Sequence, residues 1–265
     1  GGHAVEILKK PSPNGLVLGI DWDGQQIENS RDMLRSFLDR AILVNDSYVN
    51  VKEIAERMRL KPINGMLLDL GLSSDQLEES GRGFTFMKDE VLDMRYSTQN
   101  PLTAARIVNE YPVRELERIL KEYGEERFAR HIAQETVRQR KIRTIQTTKE
   151  LREIIEHAVP AKFQHGKIHA ATRTFQALRI AVNGELDNVQ EGLKNAFNVL
   201  SEGGRLVVIS FHSLEDRIVK NFFRILEKDS KAEILTKKPI VATSEEIKEN
   251  PRSRSAKLRA IRKLS

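Results

Sequence analysis

Between Leu16 and Leu70 the chain alternates short apolar runs with amphipathic helical stretches, and this rhythm restricts it to the α/β folds. The runs Leu16 to Asp21, Ala41 to Val44 and Gly65 to Leu70 have strand length and are continuously apolar, the pattern of strands buried on both faces. Between the first two, Ile27, Met33, Leu34, Phe37 and Leu38 share a helical face; between the next two, Val51, Ile54, Ala55 and Met58 do. Strand, helix, strand requires a crossover, so the expected core is a doubly wound, mostly parallel sheet with helices on both faces.

After Leu70 the rhythm gives way to helical patterns. Val113, Leu116, Ile119 and Leu120 mark one face, and Phe128, Ile132, Ala133 and Val137 another. Thr147 with Glu150 three residues on predicts a capping-box start for a helix that Pro160 stops. A helix using Leu186, Val189, Leu193, Ala196, Val199 and Leu200 then ends at Gly203-Gly204, and Arg205 to Ser210 resumes the sheet. Ser213 is expected to cap the next helix, whose face is Leu214, Ile218, Phe222 and Ile225, and Ala232 to Leu235, Ile240 to Thr243 and Ser255 to Ile261 read as terminal strands. The polar stretch near 244–253 reads as disordered. The organisation predicted is an α/β core in two parts, residues 1–94 and 183–265, around an all-helical insertion at 95–182.

The chain has no cysteine, which excludes disulfides, thiolate metal sites and a cysteine nucleophile; no metal site is expected. No apolar run approaches the roughly 20 residues needed to span a bilayer, so no membrane association is expected, and the expected location is the cytoplasm, with an organelle left open. The chain opens on Gly1 rather than methionine, and its natural amino terminus is expected to be missing. Net charge is +6. The bases concentrate at Arg138, Arg140, Lys141, Arg143, Lys149, Arg152, Lys162, Lys167, Arg173 and Arg179, and again at Arg252, Arg254, Lys257, Arg259, Arg262 and Lys263. The two clusters are read either as one phosphate-binding surface or as solvated helix faces and a tail.

Ligands of open α/β sheets lie beyond the carboxyl ends of the strands, so polar residues there are the candidates. Gly1-Gly2-His3 resembles a glycine-rich turn opening a helix, where the backbone can approach a cofactor. Asp21 follows at the spacing from which an acid hydrogen-bonds ribose hydroxyls, although an Asp ending a strand is also a turn former. Asp69 to Gln76 is a carboxylate, a glycine and a polar loop after a buried strand; Ser73 or Ser74 also fits a helix cap. In Ser210 to Asp216, His212 at a strand end suits acid or base chemistry as well as a structural role. No glycine elbow surrounds either serine, which argues against a hydrolase.

Several long words then coincide with one family. Gly1-Gly2-His3, Ile20 to Asp23, Leu68 to Leu77, Arg82 to Phe86, Leu92 to Arg95, Tyr123 to Ala129, Ala171 to Ile180, Ser210 to Lys220 and Asn250 to Ser255 together resemble the bacterial-type 16S ribosomal RNA cytosine-N4 methyltransferases over nearly the whole chain. The resemblance implies a class I methyltransferase, Rossmann-like sheet with a helical substrate-recognition insertion, S-adenosylmethionine as cofactor, and small-subunit ribosomal RNA or an assembling small subunit as partner. The oligomeric state is left open, a homodimer among the options. By the same resemblance, Gly1, Gly2 and His3 line the methionine end of the cofactor, Asp21 its ribose and Tyr48 its adenine, and Asp69 and Gln76 complete the pocket. Trp22 replaces the family's usual Arg, Glu90 stands where a Gly-Pro pair is usual, and Asn45 to Tyr48 lacks the usual glycine. The family's first strand and the acid and threonine of its glycine-rich word are absent from this sequence, from which weakened cofactor binding is expected.

For methyl transfer to an exocyclic amine, Ser73 and His212 are the expected catalytic residues, placed only by their positions after two strands. An extruded base must be held by phosphate contacts, and His169, Arg173 and Gln176 are the expected RNA contacts; the same stretch also supplies core packing through Phe175, Leu178 and Ile180. Two rivals are a nicotinamide dehydrogenase, sharing the glycine turn and ribose acid, and a non-catalytic RNA-binding assembly protein on the same fold.

Overall fold

The structure is a computed structural model, and it describes residues 1–10, 15–164 and 168–264; Lys167 of the basic cluster lies outside them. The chain forms two compact units, one from residues 1–70 with 187–265 and one from 71–186.

In the α/β unit, α1 (Gly2–Lys9) precedes β1 (Val17–Asp21), α2 (Gly24–Met33), β2 (Ala41–Asn45), α3 (Val51–Arg57) and β3 (Gly65–Asp69). β1 and β2 pair in parallel, with Val17 opposite Ala41 and Asp21 opposite Asn45. Their residues are half-buried rather than the fully buried strands the apolar runs suggest. The second sheet has the order β3, β4 (Arg205–Ser210), β7 (Lys257–Lys263), β5 (Ala232–Ile234), with β6 (Ile240–Val241) also on β7. β3 and β4 are parallel, so Asp69 lies beside Ile209. β7 runs antiparallel to β4, β5 and β6, so the parallel expectation holds for the strands that alternate with helices and not for the closing ones. Leu68, Leu193, Phe197, Leu206, Val208, Val219, Phe223 and Ile261 form the core between this sheet, α10 (Glu185–Val199) and α11 (Ser213–Lys228).

Three expectations for this unit need correction. His212, not Ser213, is the N-cap of α11: its side chain accepts from Glu215 N–H and the Glu215 carboxylate returns to the His212 N–H. The buried face of α11 is Leu214, Val219, Phe223 and Leu226, while Ile225 is 58% exposed, because the sheet meets the helix one residue further round. Residues 244–253 are ordered into α12 (Ser244–Glu249) and a 3-10 turn, Pro251–Ser255. Thr243 caps α12 by accepting from Glu246 N–H, and Ser253 is buried, so local hydrogen bonding replaces the missing apolar content.

The second unit is helical: α4 (Ser74–Glu78), α5 (Ala104–Glu110), α6 (Val113–Gly124), α7 (Ala129–Arg140), α8 (Thr148–Ala158) and α9 (Ala171–Asn183). Its core joins Leu116, Ile119, Ile132, Leu151, Ile155 and Leu178 with Phe84, Leu92 and Met94. Residues before 95 thus pack into the helical core, because Phe84, Leu92 and Met94 are buried there. Thr147 and Glu150 form the reciprocal cap of α8. Gly124 lets α9 approach closely, since a Cβ there would lie 2.6 Å from the Arg173 carbonyl oxygen.

Candidate functional site

The strand ends of the α/β unit carry the polar residues that the sequence singles out. Asp21 closes β1, where one carboxylate oxygen accepts from Asp23 N–H at 2.8 Å. Its carbonyl accepts from Asn45 Nδ2 at 2.9 Å and from Asp46 N–H at 3.1 Å, tying the tips of β1 and β2 together. Just beyond β2, Ser47 caps a 3-10 turn, Tyr48–Asn50, and Asn195 Nδ2 donates to Val49 O. A Cβ at Gly192 would lie 2.3 Å from Tyr48 Cε2, so the ring rests on α10 only because residue 192 has no side chain. The sequence signal for that contact is a glycine inside a helical pattern.

Asp69 closes β3, with its Oδ2 3.4 Å from His3 Nδ1. Burial raises its carboxyl above the ordinary value, the neighbouring His3 opposes this, and Glu215 adds to the rise. His3, Asp69 and the Glu215 region therefore share one electrostatic neighbourhood. A Cβ at Gly2 would meet nothing within 4 Å, leaving that backbone approachable, while Gly1 packs against Ser30 and Met33 of α2.

After β4, Glu215 is buried and the His212 side chain is 9% exposed. Glu215 Oε2 accepts from Phe211 N–H at 2.9 Å and from His212 N–H at 3.3 Å. His212 Nδ1 accepts from Glu215 N–H at 3.4 Å. With that lone pair engaged, the neutral imidazole carries its proton on Nε2. Nε2 is 3.2 Å from Glu215 Oε1 but has no hydrogen-bond partner in favourable geometry. The ring is thus arranged to donate rather than to act as a free base. Next to it, Asp216 binds Arg259 Nε at 2.7 Å and Lys257 Nζ at 3.3 Å, fixing α11 to β7.

In the helical unit, Ser73 and Gln76 cap α4 reciprocally: Ser73 Oγ accepts from Gln76 N–H at 3.1 Å and Gln76 Oε1 accepts from Ser73 N–H at 3.0 Å. The cap reading of Ser73 is therefore realised. A hydroxyl has two acceptor lone pairs, so capping leaves Ser73 Oγ able to accept once more. His169 Nδ1 accepts from Ala171 N–H, its Nε2 lies 3.3 Å from Glu156 Oε1, and its ring stacks on Phe86 at 4.7 Å. Arg173 Nη1 donates to Glu125 O at 2.9 Å and Gln176 Nε2 to Tyr123 O at 3.2 Å. Of these three, Arg173 and His169 are exposed.

The sequence model of the MraW methylase family matches residues 1–264. This chain belongs to the MraW methylase family. The α/β unit of this MraW-family chain is accordingly a Rossmann-like class I methyltransferase fold, and S-adenosylmethionine is its cofactor. The chain is 48% identical over 264 residues to the ribosomal RNA small subunit methyltransferase H of Sulfurihydrogenibium sp. (strain YO3AOP1), covering 100% of this chain and 89% of the relative. It is 47% identical over 279 residues to the protein of that description from Symbiobacterium thermophilum, covering 100% and 88%. The corresponding protein of Persephonella marina is 46% identical over 264 residues, covering 100% and 89%. No helix among the described residues is long and apolar enough to cross a membrane.

Proposed function

We propose that this chain transfers a methyl group from S-adenosylmethionine to the exocyclic N4 amine of a cytidine in small-subunit ribosomal RNA. The observation that carries the reading is the cluster of His3, Asp69 and the His212–Glu215 pair at the carboxyl ends of β3 and β4, with Asp21 at the end of β1, in a chain related over its whole length to ribosomal RNA methyltransferases. The donor set fits the cofactor: carboxylates suit ribose hydroxyls and an ammonium group, and the open backbone at Gly2 admits a ligand. With no cysteine in the chain, these tips offer no thiol nucleophile, and none is needed.

When bound, the cofactor supplies a methyl group activated by a positive sulfonium. The chain's part is to bind, orient and accept hydrogen bonds, and positioning of reactants alone can supply on the order of 7 to 11 kcal/mol of a barrier. Asp21 takes the ribose, Tyr48 the adenine, and Gly1, Gly2, His3, Asp69 and Gln76 the remainder of the cofactor. The cytosine amine is a weak nucleophile because its lone pair is delocalised into the ring, and an acceptor on the amine localises it. Ser73 Oγ retains the lone pair for this, and the proton that the methylated amine sheds passes to water. His212 Nε2 donates a hydrogen, which suits the ring acceptor next to the amine and orients the base. His169, Arg173 and Gln176 contact RNA beside the extruded base, Arg173 with the donors it does not spend on Glu125.

Mass spectrometry of ribosomal RNA nucleosides before and after incubation with the protein and S-adenosylmethionine tests the reading; N4-methylcytidine should accumulate. Calorimetry should show S-adenosylhomocysteine binding and no dinucleotide binding, whereas an assembly protein without the activity would bind RNA alone. His212→Asn keeps a helix cap but removes Nε2, and single-turnover methylation should slow at least about tenfold, one oriented hydrogen bond being worth about that much. Unchanged turnover would take His212 out of the site.

A further inference from the structure

The connection between α6 and α7 meets the turn after α8 in a cluster that no role above uses. The Arg127 guanidinium lies 4.7 Å from the Phe163 ring centroid and 5.6 Å from that of Phe128. Lys162 Nζ is 5.1 Å from the same Phe163 ring. The two rings are 5.2 Å apart, and His131 meets Phe128 edge-on at 6.4 Å. Arg127, Arg130, His131 and Lys162 are exposed, and both phenylalanines are half-buried. Beneath them, Glu126 is buried and its carboxylate accepts from Phe128 N–H at 2.8 Å, which fixes the segment carrying the ring.

The cations of this cluster differ from their neighbours. Arg118, Arg138, Arg143 and Arg179 are paired with carboxylates, and Arg140 donates to the carbonyls of Val108 and Tyr111. Among the described residues, Arg127, Arg130 and Lys162 form no ion pair. Arg173, bonded to Glu125 O, continues the surface. Unneutralised cations alone would suit any polyanion. Cations stacked on aromatic rings suit one whose flat faces are exposed, namely unpaired nucleotides, with bases on the ring and guanidinium planes and phosphates on the ammonium and the remaining guanidinium. Duplex RNA keeps its base faces covered and would leave the rings idle.

We propose that Arg127, Phe128, Arg130, His131, Lys162 and Phe163 form a stacking platform for an unpaired RNA segment, a surface that deepens the ribosomal RNA reading and rests on it. The test titrates the full chain with a labelled single-stranded RNA of about 16 nucleotides over a range of salt concentrations, with a duplex of the same length as competitor. Replacing Arg127 and Lys162 together by Ala should weaken binding at least about tenfold at low salt and lower the salt slope by about 1.4, two single-strand phosphate contacts. Phe163→Leu, which keeps an apolar side chain in the half-buried position, should weaken binding about fivefold or more and leave the slope unchanged. Replacing Lys141 and Lys149, also without ion pairs, should change little.

The proposal is overturned if the Arg127 and Lys162 double variant binds as the parent does, if it matches the Lys141 and Lys149 control, or if the duplex competes as well as single strand. Binding of RNA by the parent that these variants leave untouched defeats the platform alone. A parent protein that binds S-adenosylhomocysteine but no RNA defeats the platform and the ribosomal RNA reading together. Circular dichroism of each variant separates lost contacts from lost folding.

Discussion

The two units satisfy their backbones in different ways. In the α/β unit, ladders from β3 to β4 and from β4 to β7 use main-chain groups on one another. The long connection between α4 and α5 in the helical unit has little such pairing, and side chains take its place. Arg82 donates to the carbonyls of Arg95 and Tyr96, and Arg95 to those of Thr98 and Asn100. Asn183 accepts from Tyr96 N–H and donates to Met94 O. Buried or half-buried peptide groups without a ladder need partners from elsewhere. The lesson is that arginines near an irregular segment are first to be suspected of serving the fold, and only those left over are candidates for phosphate.

The largest effect should come from the α/β unit, where charge is buried instead of spent on loops. Asp216→Asn leaves Arg259, only 10% exposed, without its anion, and should cost about 3 kcal/mol. Urea unfolding followed by fluorescence of Trp22, the single tryptophan and a residue of this unit, measures it. Adding Arg259→Met should restore part of the loss; no recovery would mean that the pair does more than neutralise itself. In the helical unit, Asn183→Ala removes hydrogen bonds to three main-chain groups and should cost about 2 kcal/mol by circular dichroism. A negligible change would break the claim that side chains replace the ladder there.

Gly192→Ala sharpens the contrast from the cofactor side. Its Cβ would displace the Tyr48 ring, so S-adenosylhomocysteine affinity should fall about tenfold, the equivalent of modest overpacking, with RNA affinity retained. Acid should act on both units. Burial pushes the Asp216 and Asp93 carboxyls up, but Arg259 with Lys257, and Arg95, more than compensate and hold them below the ordinary value. Their stabilisation is complete above that ordinary value and is lost as pH falls through the lower folded one. The urea midpoint should therefore drop below about pH 4, and Asp93→Asn should flatten the part of the profile that Arg95 creates. The smallest effect is expected at Arg138, which holds the Glu135 carboxyl at about 2. Arg138→Ala should move that titration up, seen by NMR, with no measurable shift of the unfolding midpoint, since such exposed pairs contribute little.

Much of the α/β alternation was legible because a buried strand and an amphipathic helix have different periods, and Thr147 with Glu150 announced α8 by chemistry alone. The strand-end acids Asp21 and Asp69 were legible for the same reason: their place follows from where each strand stops. What escaped reading depended on partners distant in sequence. The buried face of α11 is chosen by a sheet assembled from residues far apart in the chain, and the Tyr48 contact depends on a glycine in another helix. His212 escaped as a cap because an imidazole is an uncommon choice for that position. The basic count between Arg138 and Arg179 leaves both readings open for a physical reason: charge in a sequence does not say whether a carbonyl or carboxylate waits nearby.

The helical unit is one unbroken stretch, 71–186, whereas the α/β unit is split between 1–70 and 187–265. During synthesis the stretch is complete while β4, β7 and α11 have yet to emerge, and domains generally fold as units in order of emergence. β1 and β2 can pair at once, but β3 lacks its neighbour until β4 arrives after the whole helical stretch. Slow translation between β3 and β4 would leave an unpaired strand edge exposed, so the period of aggregation risk spans the making of the helical unit.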